Sequence, residues 1–324
     1  MEAMISRPLF ERLDDRPMAH CATLIALPDG RLLAAWFGGA YETSPDVVIL
    51  ACEKPADSEV WSEPRAIAEV AGRSLGQPVF LHRPGGTLWL FFDAIMDNDW
   101  TSAQPYRQIS EDGGKSWLPA QPLMDYPGLM FRSRPLVTEG RILLPAYDEK
   151  TWQSRMLISD DDGASWRVTE PISTPAGNIH PTVVTLPDGH LLAYLRTGGS
   201  GGSGGNLWRT ESSDGGESWS TPTATALPNP NSGFDLMRLQ SGRLALAFND
   251  SPSLRTPLCV ALADEGEQWR WVQTFETDHA EFSYPTLAQT ADGRLHLVYT
   301  YRREHIQYAS FSEAWLMQGQ AYGE

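Results

Sequence analysis

The sequence predicts an all-β protein, a single six-bladed β-propeller that spans residues 1–324. Three observations carry this prediction. A short turn motif that ends in tryptophan recurs about every fifty residues, and a strand–turn–strand motif recurs in step with it. No segment between the copies has the apolar period of a helix. A repeated all-β unit of this length is typical of a β-propeller, in which each repeat forms one blade.

The turn motif has the pattern Ser-x-Asp-x-Gly-x-x-Trp. Its three complete copies end at Trp117, Trp166 and Trp219. A fourth copy ends at Trp269 with Leu262 in place of the serine, and Trp61 marks a fifth, more degraded copy. Short Asp and Ser side chains hydrogen-bond neighbouring backbone groups, and Trp supplies a large packing surface. We therefore interpret these turns as structural elements that pack between blades and carry no chemistry.

The second motif predicts six hairpins. Three contain Asp-Gly, at Asp29-Gly30, Asp188-Gly189 and Asp292-Gly293, and looser versions occur at Gly85-Gly86, Glu139-Gly140 and Ser241-Gly242. Asp-Gly supplies the positive φ of a two-residue hairpin turn. The sixth unit ends near Trp315 without an outer turn, so residues near Pro8–Arg12 should add the strand that closes the ring. The Gly/Ser stretch at 198–205 is a flexible loop by composition, either natural or engineered.

Charge and hydropathy exclude several classes of partner. The formal net charge of −16 argues against nucleic acid, which needs clustered cationic side chains. No apolar run approaches the roughly 18 residues of a membrane span, and Met1–Met18 lacks the apolar core of a signal peptide. The three cysteines form no Cys-x-x-Cys pair, so we expect no disulfide or structural zinc and a cytoplasmic or otherwise reducing compartment. We expect no cofactor, and the sequence leaves the oligomeric state open.

The innermost strands of a propeller begin at one mouth of its channel, so the residues that start each blade should converge there. Alignment of the hairpins selects His20, Gln77, Arg134, His180, Asp235 and Tyr284. Four of these positions directly precede proline. Six polar residues at equivalent positions favour a binding pocket over core filling, although hydrogen bonding along the channel without catalysis is an alternative. A zinc site formed by the two histidines and a carboxylate is a minor alternative.

Three segments resemble the sialidase (neuraminidase) superfamily, whose members are six-bladed propellers with the same tryptophan turns, known as Asp boxes. Val183–Thr197 resembles the family segment that ends in a carboxylate-binding arginine, here Arg196. Asn249–Leu258 resembles the segment with a second such arginine, here Arg255. Glu281–Leu287 resembles the segment of the nucleophilic tyrosine, which implies that role for Tyr284.

The chain departs from the family at two positions. His20 stands where the family has its first carboxylate-binding arginine, and His180 stands where the family has the glutamate that activates the tyrosine. Histidine can take or give a proton near neutral pH. The base for the tyrosine is therefore His180 or Glu281. The acid that protonates the leaving group is Asp46 or Glu42, both in the loop after the second strand of the first blade.

The resemblance implies an exo-acting glycoside hydrolase that removes a terminal acidic, sialic-acid-like or deoxy sugar from a glycan. Arg134, Gln77 and Asp235 would line its substrate pocket, and Arg302 and Arg303 either add to that pocket or belong to a solvated hairpin. Three alternatives remain open. They are a polysaccharide lyase with a His/Tyr pair, another glycosidase such as a rhamnosidase-type enzyme, and a glycan-binding propeller without catalysis.

Overall fold

The computed structural model describes residues 4–97, 99–138, 140–198, 204–264 and 266–322. Within these ranges the strands form six antiparallel sheets, which are the blades of the predicted propeller. The predicted fold class is therefore confirmed. Of the Gly/Ser stretch, residues 199–203 lie outside the described ranges, as do Glu139 of the third hairpin and Glu265 of the fourth tryptophan turn.

The strands are given blade by blade, from the channel outward. Blade 1 contains Met18–Ala26 (β2), Leu32–Gly39 (β3), Val48–Lys54 (β4) and Arg65–Ala68 (β5). Blade 2 contains Leu75–His82 (β6), Leu88–Ile95 (β7), Ala103–Ser110 (β8) and Gln121–Pro122 (β9). Blade 3 contains Leu129–Phe131 (β10) and Leu136–Thr138 (β11), which both pair with Arg141–Asp148 (β12), then Gln153–Ser159 (β13) and Arg167–Val168 (β14).

The remaining blades follow the same plan. Blade 4 contains Asn178–Thr185 (β15), Leu191–Thr197 (β16), Gly205–Ser212 (β17) and Thr223–Asn229 (β18). Blade 5 contains Asp235–Arg238 (β19), Leu244–Asn249 (β20), Leu258–Ala263 (β21), Trp269–Glu276 (β22) and Gln320–Ala321 (β26). Blade 6 contains Phe282–Gln289 (β23), Leu295–Tyr301 (β24), His305–Phe311 (β25) and the N-terminal strand Ile5–Pro8 (β1).

Both ends of the chain complete a blade. Strand β1 pairs antiparallel with β25, with Ile5 opposite Ser310 and Pro8 opposite Gln307. The short strand β26 extends blade 5 by pairing with β22, after a single helical turn at Glu313–Leu316 (α1). No helix in the described ranges is long and apolar enough to span a membrane. Blade 6 therefore combines the N-terminal strand with three strands of the last repeat, and this closing strand ends at Pro8, where the predicted segment Pro8–Arg12 begins.

The hairpin turns are one residue longer than the sequence predicted. In blade 1 the amide of Leu27 donates to the carbonyl of Arg31, and the amide of Gly30 donates to the carbonyl of Leu27. The loop therefore has three residues, Pro28 to Gly30, and only its glycine has a positive φ, 85°. This is the three-residue hairpin with a left-handed glycine at its end. The same pair of bonds recurs in blades 2, 4, 5 and 6.

The tryptophan turns have the structural role that the sequence indicated. Asp112 accepts hydrogen bonds from the amides of Lys115 and Ser116, and Ser110 Oγ accepts one from the amide of Gly114. The ring of Trp117 stacks on Phe80 with centroids 6.2 Å apart. The turns in blades 3 and 4 repeat the bond from the second serine amide to the aspartate and the bond from the glycine amide to the first serine. Each complete turn thus closes on itself by side-chain bonds and contributes its tryptophan to packing.

Candidate active site

A bulge in the innermost strand of four blades turns one residue per blade toward the same mouth of the channel. The register of β2, β6, β15 and β23 slips at this point. The bulged residues have a positive φ, and they are Cys21, Gln77, His180 and Tyr284. A β-bulge re-aims the side chain that it carries. We refer to the end of the channel where these residues lie as the tyrosine mouth.

The structure changes the predicted alignment in three blades. In blade 1 the bulged residue is Cys21, one position after His20, which pairs with Phe37 just before the slip. In blade 3 the position corresponds to Arg132, which follows the last residue of β10, whereas Arg134 lies two residues further along the channel. In blade 5 the corresponding position precedes Asp235. The predicted set of six therefore divides between the two mouths.

Tyr284 is buried at the centre of the tyrosine mouth. Nη1 of Arg196 donates a hydrogen bond of 3.0 Å to its hydroxyl oxygen. Its ring contacts the imidazoles of His20 and His180, with centroids 4.5 and 5.6 Å away. Gly233 leaves the room that the ring needs, since a Cβ there would lie 2.8 Å from Cδ1 of the tyrosine. The phenol is thus held beside one guanidinium and two imidazoles.

The two arginines that the resemblance singled out both reach Tyr284. The Cζ atoms of Arg196 and Arg255 lie 5.8 and 5.4 Å from the centre of its ring. Asn231 fixes both, because its side-chain oxygen accepts from Nε of Arg196 at 2.8 Å and its backbone carbonyl accepts from Nη2 of Arg255 at 3.3 Å. Two guanidinium groups side by side are suited to binding a carboxylate by forked hydrogen bonds.

Both predicted histidines are held in their neutral form. Burial, followed by the positive charge of Arg303, lowers the pKa of His20 well below its ordinary value. Burial, followed by Arg196, does the same to the pKa of His180. His180 faces Nη1 of Arg196 at 3.3 Å from its Nδ1. Nδ1 of His20 hydrogen-bonds Thr300 Oγ1 at 3.0 Å, and its Nε2 has no hydrogen-bond partner among the described residues.

Glu281 anchors the arginines. Its Oε1 accepts from Arg255 at 2.7 Å and from Ser283 at 2.8 Å, and its Oε2 accepts from Arg303 at 2.9 Å. Burial alone would raise its pKa, but Arg255 and Arg303 outweigh burial and bring the pKa below its ordinary value. A carboxylate with three donors is a poor proton acceptor, so this arrangement gives Glu281 the role of an anchor for the two arginines.

The two candidate acids of the first blade occupy different environments. Asp46 accepts from the amide of Ala40 at 2.9 Å and from Ser44 Oγ, and thereby holds the loop between β3 and β4. Glu42 forms an ion pair with Arg303 across the boundary between blades 1 and 6. The structure therefore brings Glu42 to the arginine cluster and gives Asp46 a role in the shape of its loop.

The other predicted pocket residues divide between the two mouths. Gln77 lies at the tyrosine mouth, where it accepts a hydrogen bond from Cys21 Sγ at 2.8 Å. Arg134 and Asp235 form an ion pair, and Asp235 also accepts from the amide of Leu287 at 2.7 Å. Both line a cavity of about 290 Å³ at the end of the channel away from Tyr284.

Sequence reasoning missed two ionisable residues near Tyr284 and its arginines. Glu149 follows β12, and burial raises its pKa from 4.5 to about 7, against the opposing effect of nearby Arg196. Arg132 is buried, donates to the carbonyls of Tyr284 and Pro285 at 3.0 and 3.1 Å, and so braces the bulge of blade 6. Arg132 is the first arginine of Arg-Ser-Arg-Pro, and the spacing from β10 would have selected it. Among the described residues, no group of three or more His, Cys, Asp or Glu side chains could hold a metal ion.

The fold and the tryptophan turns define a propeller of the Asp-box class, and a family comparison agrees. Residues 30–297 match the model of the BNR repeat-like domain, so the chain belongs to this family. The chain is 24% identical over 224 residues to the anhydrosialidase of Macrobdella decora, and this alignment covers 59% of the chain and 29% of that protein. It is 25% identical over 361 residues to the sialidase of Micromonospora viridifaciens, and this alignment covers 93% of the chain and 52% of that protein.

These two relatives confirm the resemblance to sialidases. The chain spans about half or less of their length. Among solved structures, a Hadza microbial sialidase superposes with a TM-score of 0.80 at 16% identity, covering 96% of the chain and 69% of that structure. The α-L-arabinanase of Penicillium chrysogenum, solved with arabinobiose, superposes with a TM-score of 0.73 at 17% identity and covers 96% and 99%. At these identities the superpositions support the fold alone.

Proposed function

We propose that the protein is an exo-acting glycoside hydrolase that removes a terminal acidic sugar from a glycan, with Tyr284 as its nucleophile. The observation that carries this proposal is the hydrogen bond from Arg196 to the Tyr284 hydroxyl beside the second arginine, Arg255. A carboxylate nucleophile would be repelled by a sugar with a carboxylate at its reacting carbon. A tyrosine avoids that repulsion, and two arginines beside it can hold the sugar carboxylate.

In the proposed first step, the phenolic oxygen of Tyr284 attacks the anomeric carbon while the bond from that carbon to the leaving oxygen breaks. His20 takes the phenolic proton, because its ring is the nearer imidazole and its Nε2 is unpartnered among the described residues. Glu42 gives its proton to the leaving oxygen. In the second step, water attacks the anomeric carbon and gives its proton to the Glu42 carboxylate, the bond to Tyr284 breaks, and His20 returns the phenolic proton to the phenolate.

Relatives support a glycan substrate. The two curated relatives are named an anhydrosialidase and a sialidase, and both names refer to action on sialic acid. An acidic protein can bind an acidic sugar, because nearby arginines decide the potential inside a narrow pocket. The replacement of the family's first arginine by His20 leaves room for a sugar that differs from sialic acid around its carboxylate.

A panel of aryl glycosides tests the proposal. It contains fluorogenic aryl glycosides of sialic acid, related keto-deoxy acids, uronic acids and rhamnose, and the release of the fluorophore is measured. We expect turnover of a glycoside with a carboxylate at the anomeric carbon, and its loss in Tyr284→Phe. Tyr106→Phe is the matched control, since Tyr106 stacks on Phe92 in blade 2 away from the site. Turnover of rhamnose alone would contradict the acidic-sugar assignment and indicate a rhamnosidase-type enzyme.

A polysaccharide lyase is the second candidate, and the two neutral imidazoles against Tyr284 favour it. In that reaction neutral His20 removes the proton beside a uronic carboxylate that the arginines neutralise, a double bond forms as the bond to the leaving oxygen breaks, and the phenol of Tyr284 gives its proton to that oxygen. The product would absorb in the ultraviolet, whereas the product of a hydrolase would not. Saturable binding of glycans without either signal would indicate a binding module.

A further inference from the structure

Arg303 lies in the tight turn between β24 and β25, at the boundary between the last and first blades. Arg302 and Arg303 both have a positive φ, 52° and 58°, which side chains rarely adopt. The carbonyl of Arg303 accepts a hydrogen bond of 3.0 Å from the amide of Ala19 in β2. Backbone strain of this kind persists where surrounding contacts hold it, and it concentrates at functional sites. The turn therefore fixes Arg303 next to the start of blade 1.

The guanidinium of Arg303 serves the part of the site that lacks an arginine of its own. After burial, Arg303 contributes most to lowering the pKa of His20, the residue that stands where relatives have their first arginine. The same guanidinium bonds Glu281, which also anchors Arg255. Arg303 and Arg255 thus share one carboxylate partner and belong to one cationic cluster.

The two acidic partners of Arg303 differ in how firmly they are held. Glu281 also accepts from Arg255 and Ser283, so it has three donors. Among the described residues, Glu42 has no hydrogen-bond or ion-pair partner except Arg303. It lies in the loop between β3 and β4, next to Tyr41, whose side chain is 62% exposed. Glu42 is therefore the partner that an incoming anion can displace.

We propose that Arg303 is the third carboxylate-binding cation of this site and that Glu42 occupies it until a substrate carboxylate takes its place. This inference rests on the proposed function, since it names the group of the substrate that Arg303 binds. Displacement would leave Glu42 without its cation and close to the bound carboxylate and to Glu149. Glu42 would then hold a proton more tightly and become able to protonate the leaving oxygen. Binding of the right substrate would thus create the acid.

The charged and titratable groups around Glu42 support this sequence of events. Arg303 is the cation that pairs with it, and Glu281 lies on the far side of that guanidinium. Glu149 and Cys21 are the other titratable groups whose pKa values its charge raises. Within the described ranges Arg303 is the cation at ion-pair distance from Glu42, so its loss to a substrate carboxylate removes the direct counter-charge of Glu42.

Binding measurements test the proposal directly. N-acetylneuraminic acid, glucuronic acid and their methyl esters are titrated calorimetrically into the wild-type protein, Arg303→Gln, Arg303→Lys and Arg302→Gln. We expect Arg303→Gln to weaken binding of the acid by roughly tenfold to a hundredfold, because a charged hydrogen bond is lost, and to leave the ester unchanged. Arg303→Lys should recover part of the loss. Arg302→Gln is the matched control, because Arg302 shares the turn and its positive φ but pairs with Asp278.

Glu42→Gln gives a second, independent test that does not depend on the folding of the Arg303 variants. Removal of the competing carboxylate should tighten binding of the acid several-fold while it abolishes turnover. In the wild type, kcat should fall at a pH about one unit or more higher than the pH at which kcat/KM falls, because kcat reports on the enzyme–substrate complex and kcat/KM on the free enzyme. This gap should shrink in Arg303→Gln.

Equal weakening of acid and ester by Arg303→Gln, no gain in affinity in Glu42→Gln, or no binding of either acid to the wild type would overturn the proposal. Failure of the proposed function gives a different pattern. If no glycoside is turned over but Arg303→Gln weakens binding of the acid and not of the ester, the carboxylate site is supported and hydrolysis is refuted. If a glycoside is turned over and Arg303→Gln changes the affinities for acid and ester equally, hydrolysis is supported and the role of Arg303 is refuted.

Discussion

Replacing Glu149 by glutamine removes a carboxyl group that is costly to ionise inside the folded protein. Burial raises the pKa of Glu149 from 4.5 to about 7. Below pH 4.5 the group carries its proton in both the folded and the unfolded chain, so it does not affect stability. Between pH 4.5 and 7 the unfolded chain loses the proton while the folded protein keeps it. The free energy of unfolding therefore falls as the pH rises through this window.

The size of this effect follows from the two pKa values. At about 1.4 kcal/mol per pKa unit, the wild type loses about 3 kcal/mol that Glu149→Gln does not lose. Urea denaturation of both proteins at pH 4.5 and pH 8 measures the difference. We expect the variant to gain about 3 kcal/mol relative to the wild type between these two pH values. All other carboxyl groups are common to both proteins and cancel.

Glu69→Gln is the control, because Glu69 is exposed just after β5 and makes no hydrogen bond or ion pair with any residue that the structure describes. It should show the same pH dependence as the wild type. A Glu149→Gln protein whose stability changes with pH in parallel with the wild type would refute the reasoning. It would mean that Glu149 is as well solvated in the folded protein as in the unfolded chain.

Three further predictions follow from the contacts. Arg196→Lys keeps the charge but loses the planar fork, so KM for an acidic substrate should rise about tenfold to a hundredfold in steady-state assays; an unchanged KM would exclude Arg196 from substrate binding. Arg134→Gln leaves the buried Asp235 without its ion-pair partner and should lower the free energy of unfolding in urea by about 3 kcal/mol, with kcat/KM unchanged. A loss of activity without a loss of stability would instead place Arg134 in the active site. Gly163→Ala would put a methyl group 2.3 Å from the ring of Trp89 at a φ of 81°, so it should cost about 2 kcal/mol in thermal unfolding without affecting turnover; full stability would show that the ring can move aside.

The blades could be predicted from the sequence because their turns are local. Ser110, Asp112 and Trp117 form their bonds within one short segment, and the tryptophan stacks on a residue of the same blade. The same side-chain chemistry recurs wherever the motif recurs, so its period gives the number of repeats. Tyr284, Arg196 and Arg255 could be selected because they lie in segments that resemble a known family, and the structure brings all three together.

The alignment of the blade starts could not be predicted to the residue. A bulge adds one residue to the innermost strand, and blade 3 adds two between Phe131 and Leu136. The proline of Arg134-Pro135 drew the alignment to the wrong arginine, and Arg132 faces the tyrosine instead. A slip of one or two residues changes which mouth of the channel a side chain faces.

Contacts between distant segments lay beyond a single sequence. Glu42 and Arg303 are 261 residues apart in the chain and meet only because the last blade closes on the first. Glu149 belongs to an Asp-Glu-Lys triplet that is typical of a solvated surface. Only the closed ring shows that β12 delivers this carboxyl group into a partly buried pocket near Arg196.

Peptide mapping after rapid acid quench tests the central claim, that Tyr284 is the nucleophile of a glycosidase. The protein is mixed with the best glycoside of the panel, quenched within a turnover, digested and analysed by mass spectrometry. A mass increase of one sugar residue on the peptide that contains Tyr284, and its absence in Tyr284→Phe, is the predicted result. Turnover in the wild type with no adduct on that peptide, or undiminished turnover in Tyr284→Phe, would contradict the account.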